Sequence, residues 1–183
     1  MPSSHDYIKD KRNKNIKIFV NDKFYTRDKA QVSVFDSGFL LGDGVWSGIR
    51  YHNNKFLFLK DHLKRLFDDA KKINLKIHLS KKEITKILSD TIRVNKMKTD
   101  VHLRLVVSRG IKSTPYQDPA FTISKPTIVV IPEYKQPQKT IYNKGLVLKT
   151  VKTIRGPHNV QDPRINSLSK LNCIIACIEA KKQ

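Results

Sequence analysis

Apolar and polar positions alternate along IKIFVNDKFY (16–25) and break at Asn21 and Asp22, which predicts a β-hairpin. AQVSVF (30–35) reads as a further strand, and SGFLLGDG (37–44) as a glycine-punctuated turn. VWSGIRYHNNKFLFL (45–59) predicts strand, turn and strand, because the paired asparagines Asn53 and Asn54 tolerate the positive φ of a tight hairpin. The period then changes. Leu63, Leu66, Phe67, Ala70 and Ile73 recur at helical spacing in KDHLKRLFDDAKKI (60–73), with charge on the opposite face. SKKEITKILSDTIRV (80–94) opens with Ser80 three residues before Glu83, the spacing of a capping box. VHLRLVVSR (101–109) and PTIVVIP (126–132) return to strand patterning.

Strands, then helices, then strands again predict an α+β fold, with a mixed sheet and two helices over residues 1–132. Residues 133–145 carry a proline and no strong period, and read as an interdomain linker. LVLKTVKTI (146–154) predicts a new strand, and 168–182 a helix with Ser167 as its N-cap and Leu168, Leu171, Ile174, Ile175 and Ile178 on a buried face. One strand and one helix enclose no core of their own. Residues 146–183 are therefore expected either to pack onto the first domain or to begin a longer second one.

Composition changes this picture in one respect. Lys and Arg total 36 against 16 Asp and Glu, a net charge of +20 among 183 residues. Such charge invites a nucleic-acid partner, since cations that neutralise phosphates release counterions. The lysines are dispersed over nearly every segment, however, and form no stripe, so a basic nucleic-acid module is the lesser reading. Cys173 and Cys177, four apart, read as small buried residues on one helix face and provide no disulfide framework. No segment has the apolar length of a membrane span, and the N-terminus lacks a signal peptide's apolar core, so a soluble cytoplasmic protein is expected.

Candidate chemistry is sparse and mostly cationic, with no metal-ligand spacing. GDGVWSG (42–48) precedes a strand and not a helix, so its glycines mark a turn and no phosphate cradle. Arg65 sits between Asp61 and Asp69, as an exposed ion pair or as a ligand for phosphate. Arg104 and His102 share one face of a strand and either line a cleft for an anion or face water. Lys170 is placed in the first turn of the last helix, where the partial positive charge of the helix N-terminus lowers an amine's proton affinity. A neutral amine is a nucleophile; the alternative is a lysine whose head simply reaches water.

VSVFDSGFLLGDGVWSGIRYHNNKFLFLKDHLKRLFDDAKKI (32–73) closely resembles the N-terminal domain of class IV (fold-type IV) pyridoxal-phosphate aminotransferases, which include branched-chain and D-amino acid aminotransferases and aminodeoxychorismate lyases. VHLRLVVSRG (101–110), PTIVVIP (126–132) and PRINSLSKLNCIIACIEA (163–180) resemble further blocks of that family in the same order. The resemblance implies that Arg65, in HLKRL, grips the cofactor phosphate. It places Arg104 at the rim of the substrate pocket, with His102 where tyrosine is usual, and Trp46 and Gly48 in the segment facing the substrate. It also implies a homodimer, with the cofactor between two domains.

Three departures accompany the resemblance. The family's cofactor lysine lies in patterns such as IKSLNYL, whereas this chain reads INSLSKL, so Asn166 stands in the lysine's place and Lys170 follows one turn on. Ser47 stands where glutamate is frequent. The family continues through most of a second domain, so the chain is expected to be a fragment, or to need a partner chain. SRGIKSTPYQDP (108–119) lacks the arginine–x–histidine trap of the D-amino acid enzymes, which points to the branched-chain type. The expectation is transamination between an amino acid and a 2-oxo acid through pyridoxal 5'-phosphate, with Lys170 as the relocated amine. The rivals are a catalytically inactive partner subunit and a lyase on the same cofactor.

Overall fold

The computed structural model describes residues 10–136 and 139–182. The predicted hairpins form where the asparagines fall. Strand β1 (Lys17–Val20) turns at Asn21, with φ of 57°, into β2 (Lys23–Thr26). β3 (Gly44–His52) turns at Asn53 and Asn54, both at positive φ, into a short β4 (Lys55–Phe56). β5 (Val101–Ser108) and β6 (Thr127–Tyr134) complete a six-stranded sheet in the order β2-β1-β6-β5-β3-β4, with every pairing antiparallel. The α+β class expected from the sequence holds, but the sheet is antiparallel throughout and not mixed.

Between the strands lie a short helix α1 (Ser37–Leu41) and the two predicted helices, α2 (Leu59–Lys72) and α3 (Lys81–Val94). Ser80 and Glu83 close the capping box in both directions. The apolar stripes of α2 (Leu63, Leu66, Ala70) and α3 (Ile84, Leu88, Ile92) pack on one face of the sheet, against Val45, Ile49, Leu103, Leu105 and Val130, all at 6% exposure or less. The period-2 pattern of β3 thus sends Val45, Ser47 and Ile49 to the helices, and Trp46, Gly48 and Arg50 to the open face.

Arg109, just past β5, fastens this layer to the loop that leads into β3. Its guanidinium donates to both carboxylate oxygens of Asp43 (2.6 and 3.0 Å) and to the carbonyls of Ile73 and Asn74 at the end of α2 (2.7 and 2.9 Å).

Three expectations are corrected. No strand forms at 30–35: Ser33 O accepts from Asp36 N and Ser33 Oγ from Phe35 N, and the segment meets a neighbour only at its end, where Phe35 O accepts from Lys112 N and Asp36 bridges Ile111. The first five residues of SGFLLGDG form a helix, with Asp36 capping its start through Gly38 N and Gly42 ending it at φ of 67°. No strand forms at 146–154 either. Glu179 accepts from the amides of Lys152 and Thr153 and pins the segment to the last helix.

Beyond β6 come α4 (Lys139–Lys144), α5 (His158–Gln161) and α6 (Leu171–Lys182). Part of the expected linker, 137–138, lies outside the described residues. The face of α6 expected to be buried is open: Leu171, Ile174, Ile175 and Ile178 are 46–67% exposed. Cys173 is half-buried and Cys177 exposed, so neither is the core residue the spacing implied. Among the described residues no helix is long and apolar enough to cross a membrane.

Candidate active site

The free edge of β3 builds the site. On one side β3 pairs with β5 along Gly44–Tyr51; on the other, β4 reaches only Tyr51 and His52. The stretch 166–168 lies along the start of that second edge. Trp46 N donates to Asn166 O (3.0 Å), Leu168 N donates to Gly44 O (2.9 Å), and Ser167 forms a β-bridge with Val45. This pairing holds 166–168 extended, which is why α6 begins at Leu171 and not at 168. Lys170 therefore lies ahead of the first turn, at the N-cap position, where its carbonyl accepts from Ile174 N (2.9 Å).

The Lys170 side chain turns back to this edge. Its Nζ lies 3.3 Å from Asn166 Oδ1 and 5.7 Å from the centre of the Trp46 ring. Burial lowers its pKa from the ordinary lysine value. Arg155 and Arg104 lower it further, while Cys173 and Asp69 oppose them. Lys170 also lines a cleft of about 200 Å³ with Arg155, Asn172 and Cys173.

Arg104, opposite Gly48 in the β3–β5 register, stacks over the same indole, with its guanidinium carbon 4.1 Å from the ring centre. The Trp46 indole N–H is buried with no hydrogen-bond partner among the described residues. His102 lies over Gly48, where a Cβ would meet its Nε2 at 2.7 Å, so any larger residue at 48 would push the imidazole aside. Trp46, Gly48, His102 and Arg104 are thus gathered on the open face beside Lys170.

Arg65 approaches from the helix side of the same strand. It pairs with neither Asp61 nor Asp69 and makes no ion pair among the described residues; its guanidinium lies 3.5 Å from Ser47 Oγ. Ser47 is fully buried and 3.2 Å from His62 Nδ1. Burial, reinforced by Arg65, lowers the His62 pKa below its ordinary value. Asp69, 2% exposed, spends Oδ2 on Asn166 N (3.1 Å).

Sequence reasoning passes over His62, Asp69 and Arg155 as site residues. The spacing of His62, Arg65 and Asp69, three and four apart on one helix face, is the available signal for the first two. Arg155 has none, since it reaches the site through an irregular segment.

An unpaired arginine, a lysine of lowered basicity and a buried orphan donor between them fit a phosphate-bearing aldehyde. These are groups that a cofactor held through an amine would call on. A family model described as amino-transferase class IV matches residues 44–183, and the chain belongs to that family. It is 39% identical over 90% of its length to the provisionally named branched-chain-amino-acid aminotransferase of Methanocaldococcus jannaschii, of which it covers 56%. It is 36% identical over 92% of its length to branched-chain-amino-acid aminotransferase-like protein 1 of Arabidopsis thaliana, of which it covers 30%.

Among solved structures, the branched-chain aminotransferase of Thermoproteus uzoniensis with norvaline superposes at a TM-score of 0.78, with 24% identity, over 92% of this chain and 57% of that one. The T.th. branched-chain amino acid aminotransferase complexed with N-(5'-phosphopyridoxyl)-L-glutamate gives 0.79 with 23% identity, over 91% and 55%. These two share the fold. The chain spans about half the length or less of the curated relatives it matches.

Proposed function

We propose that this chain serves transamination between an amino acid and a 2-oxo acid with pyridoxal 5'-phosphate, of the branched-chain type, as a cytoplasmic homodimer. In this reading residues 1–132 form one domain, 133–145 the linker and 146–183 the start of a cofactor domain. The observation that carries the reading is the placement of Lys170 beside the position where the family has its lysine, next to an indole and with lowered basicity.

When bound, the cofactor supplies an electron sink for the substrate's α-carbon. Arg65 would hold the phosphate, as a guanidinium suits a phosphate group. The Lys170 amine would hold the cofactor at its aldehyde group, and as a free amine would serve first as base and then as acid toward the substrate's α-proton. Arg104, held flat by Trp46, orients the substrate carboxylate. Gly48 and His102 shape the wall facing the substrate side chain.

Borohydride reduction of the purified protein with pyridoxal phosphate, followed by peptide mapping, tests this. One adduct per chain on Lys170, lost in Lys170→Ala, is expected. Trp46 is the single tryptophan, so quenching of its fluorescence accompanies that adduct. Label spread thinly over many lysines overturns the reading. That outcome favours an inactive partner subunit, for which the open apolar face of α6 is the supporting observation.

A further inference from the structure

Asn166 occupies the place of the family's lysine, yet it is built into the site more fully than a vestige would be. Its amide N donates to Asp69 Oδ2 (3.1 Å) and its carbonyl accepts from Trp46 N (3.0 Å). Its side-chain Nδ2 donates to Trp46 O (2.9 Å), and its Oδ1 accepts from Lys170 Nζ (3.3 Å). The Nδ2 bond fixes the amide flip, and with it the direction of Oδ1. We propose that Asn166 is a positioning residue, clamped by Trp46 so that its Oδ1 holds the Lys170 amine against the indole. This rests on the reading of Lys170 as the reacting amine.

The choice of an amide is chemically pointed. The Lys170 amine is faced by Trp46 from β3, Arg104 from β5, Asp69 from α2, Arg155 from the segment before α5 and Cys173 from α6. A carboxylate at 166 would favour the ammonium and reduce the neutral fraction. A second lysine would offer no acceptor. A neutral acceptor gives direction without adding charge.

The test reads Lys170 itself, without cofactor, and then with it. Competitive acetylation across pH, mapped by peptide mass spectrometry, gives the titration midpoint of the Lys170 amine. Asn166→Asp, equal in size, is expected to raise that midpoint by about one unit or more. Asn166→Leu, similar in size but without an acceptor, lowers it. In Asn166→Leu the borohydride-trapped yield on Lys170 nonetheless falls several-fold, although the amine is more often neutral; a loss of position does this and a loss of charge balance does not. Circular dichroism matching the wild type qualifies each variant, and Asn166→Ala, which also removes the acceptor, serves where Leu does not fold. Midpoints that stay fixed in folded variants overturn the positioning role. Midpoints that move as expected in a protein whose wild type gives no Lys170 adduct overturn the cofactor reading instead.

Discussion

His62 shows how one side chain reports on its neighbours. Burial and the Arg65 charge both disfavour its protonated form. The unfolded chain therefore binds more protons than the folded one between the lowered midpoint and about 6.5, and stability rises with pH through that window. Below both values the contribution is lost. Arg65→Ala removes a like charge, so the His62 midpoint is expected to rise toward the ordinary value, as measured by NMR titration of the ring protons. Inorganic phosphate bound at Arg65 in the wild type is expected to raise it as well. A His62 midpoint insensitive to both changes would show that Arg65 lies away from the ring in solution.

Elements here stand or fall by how their backbone ends are satisfied. Ser80 and Glu83 satisfy two donors at the start of α3, and Ser80→Ala is expected to cost about 1 kcal/mol in chemical denaturation. The larger lever is Arg109, because its one guanidinium serves Asp43 and the two carbonyls that end α2. With its ends only 12–20% exposed in side-chain terms, the Arg109–Asp43 pair is shielded from water. Arg109→Ala leaves Asp43 without its partner and is expected to cost about 3 kcal/mol, read from the same denaturation curves. The strands predicted at 30–35 and 146–154 failed by the converse rule: alternation proposes a strand, but a neighbouring edge must accept it. The last helix lost the start of its predicted length, 168–170, to just such an edge, that of β3.

At the scale of the whole molecule, the sheet with α2 and α3 buries its own core, while α6 presents Leu171, Ile174, Ile175 and Ile178 to solvent. An apolar surface of that kind favours association. Sedimentation velocity is expected to show association that grows with concentration, and Ile174→Lys with Ile178→Lys to suppress it without altering the far-ultraviolet spectrum; unchanged association would place the contact elsewhere. Periodicity alone determined the two hairpins, α2, α3 and the paired central strands, because each has a local signal in turn residues, caps or spacing that its packing agrees with. It also put Arg65 and His62 on one helix face. Tertiary structure alone decided that Ser167 pairs with Val45, that α6 starts after Lys170 and that Asn166 Oδ1 meets the lysine amine. Those contacts join residues about 120 positions apart, or depend on such a join, as in the Asn166–Trp46 bonds. No local period records which distant edge a segment will find, and that choice is what brings the Lys170 amine beside Asn166 and Trp46.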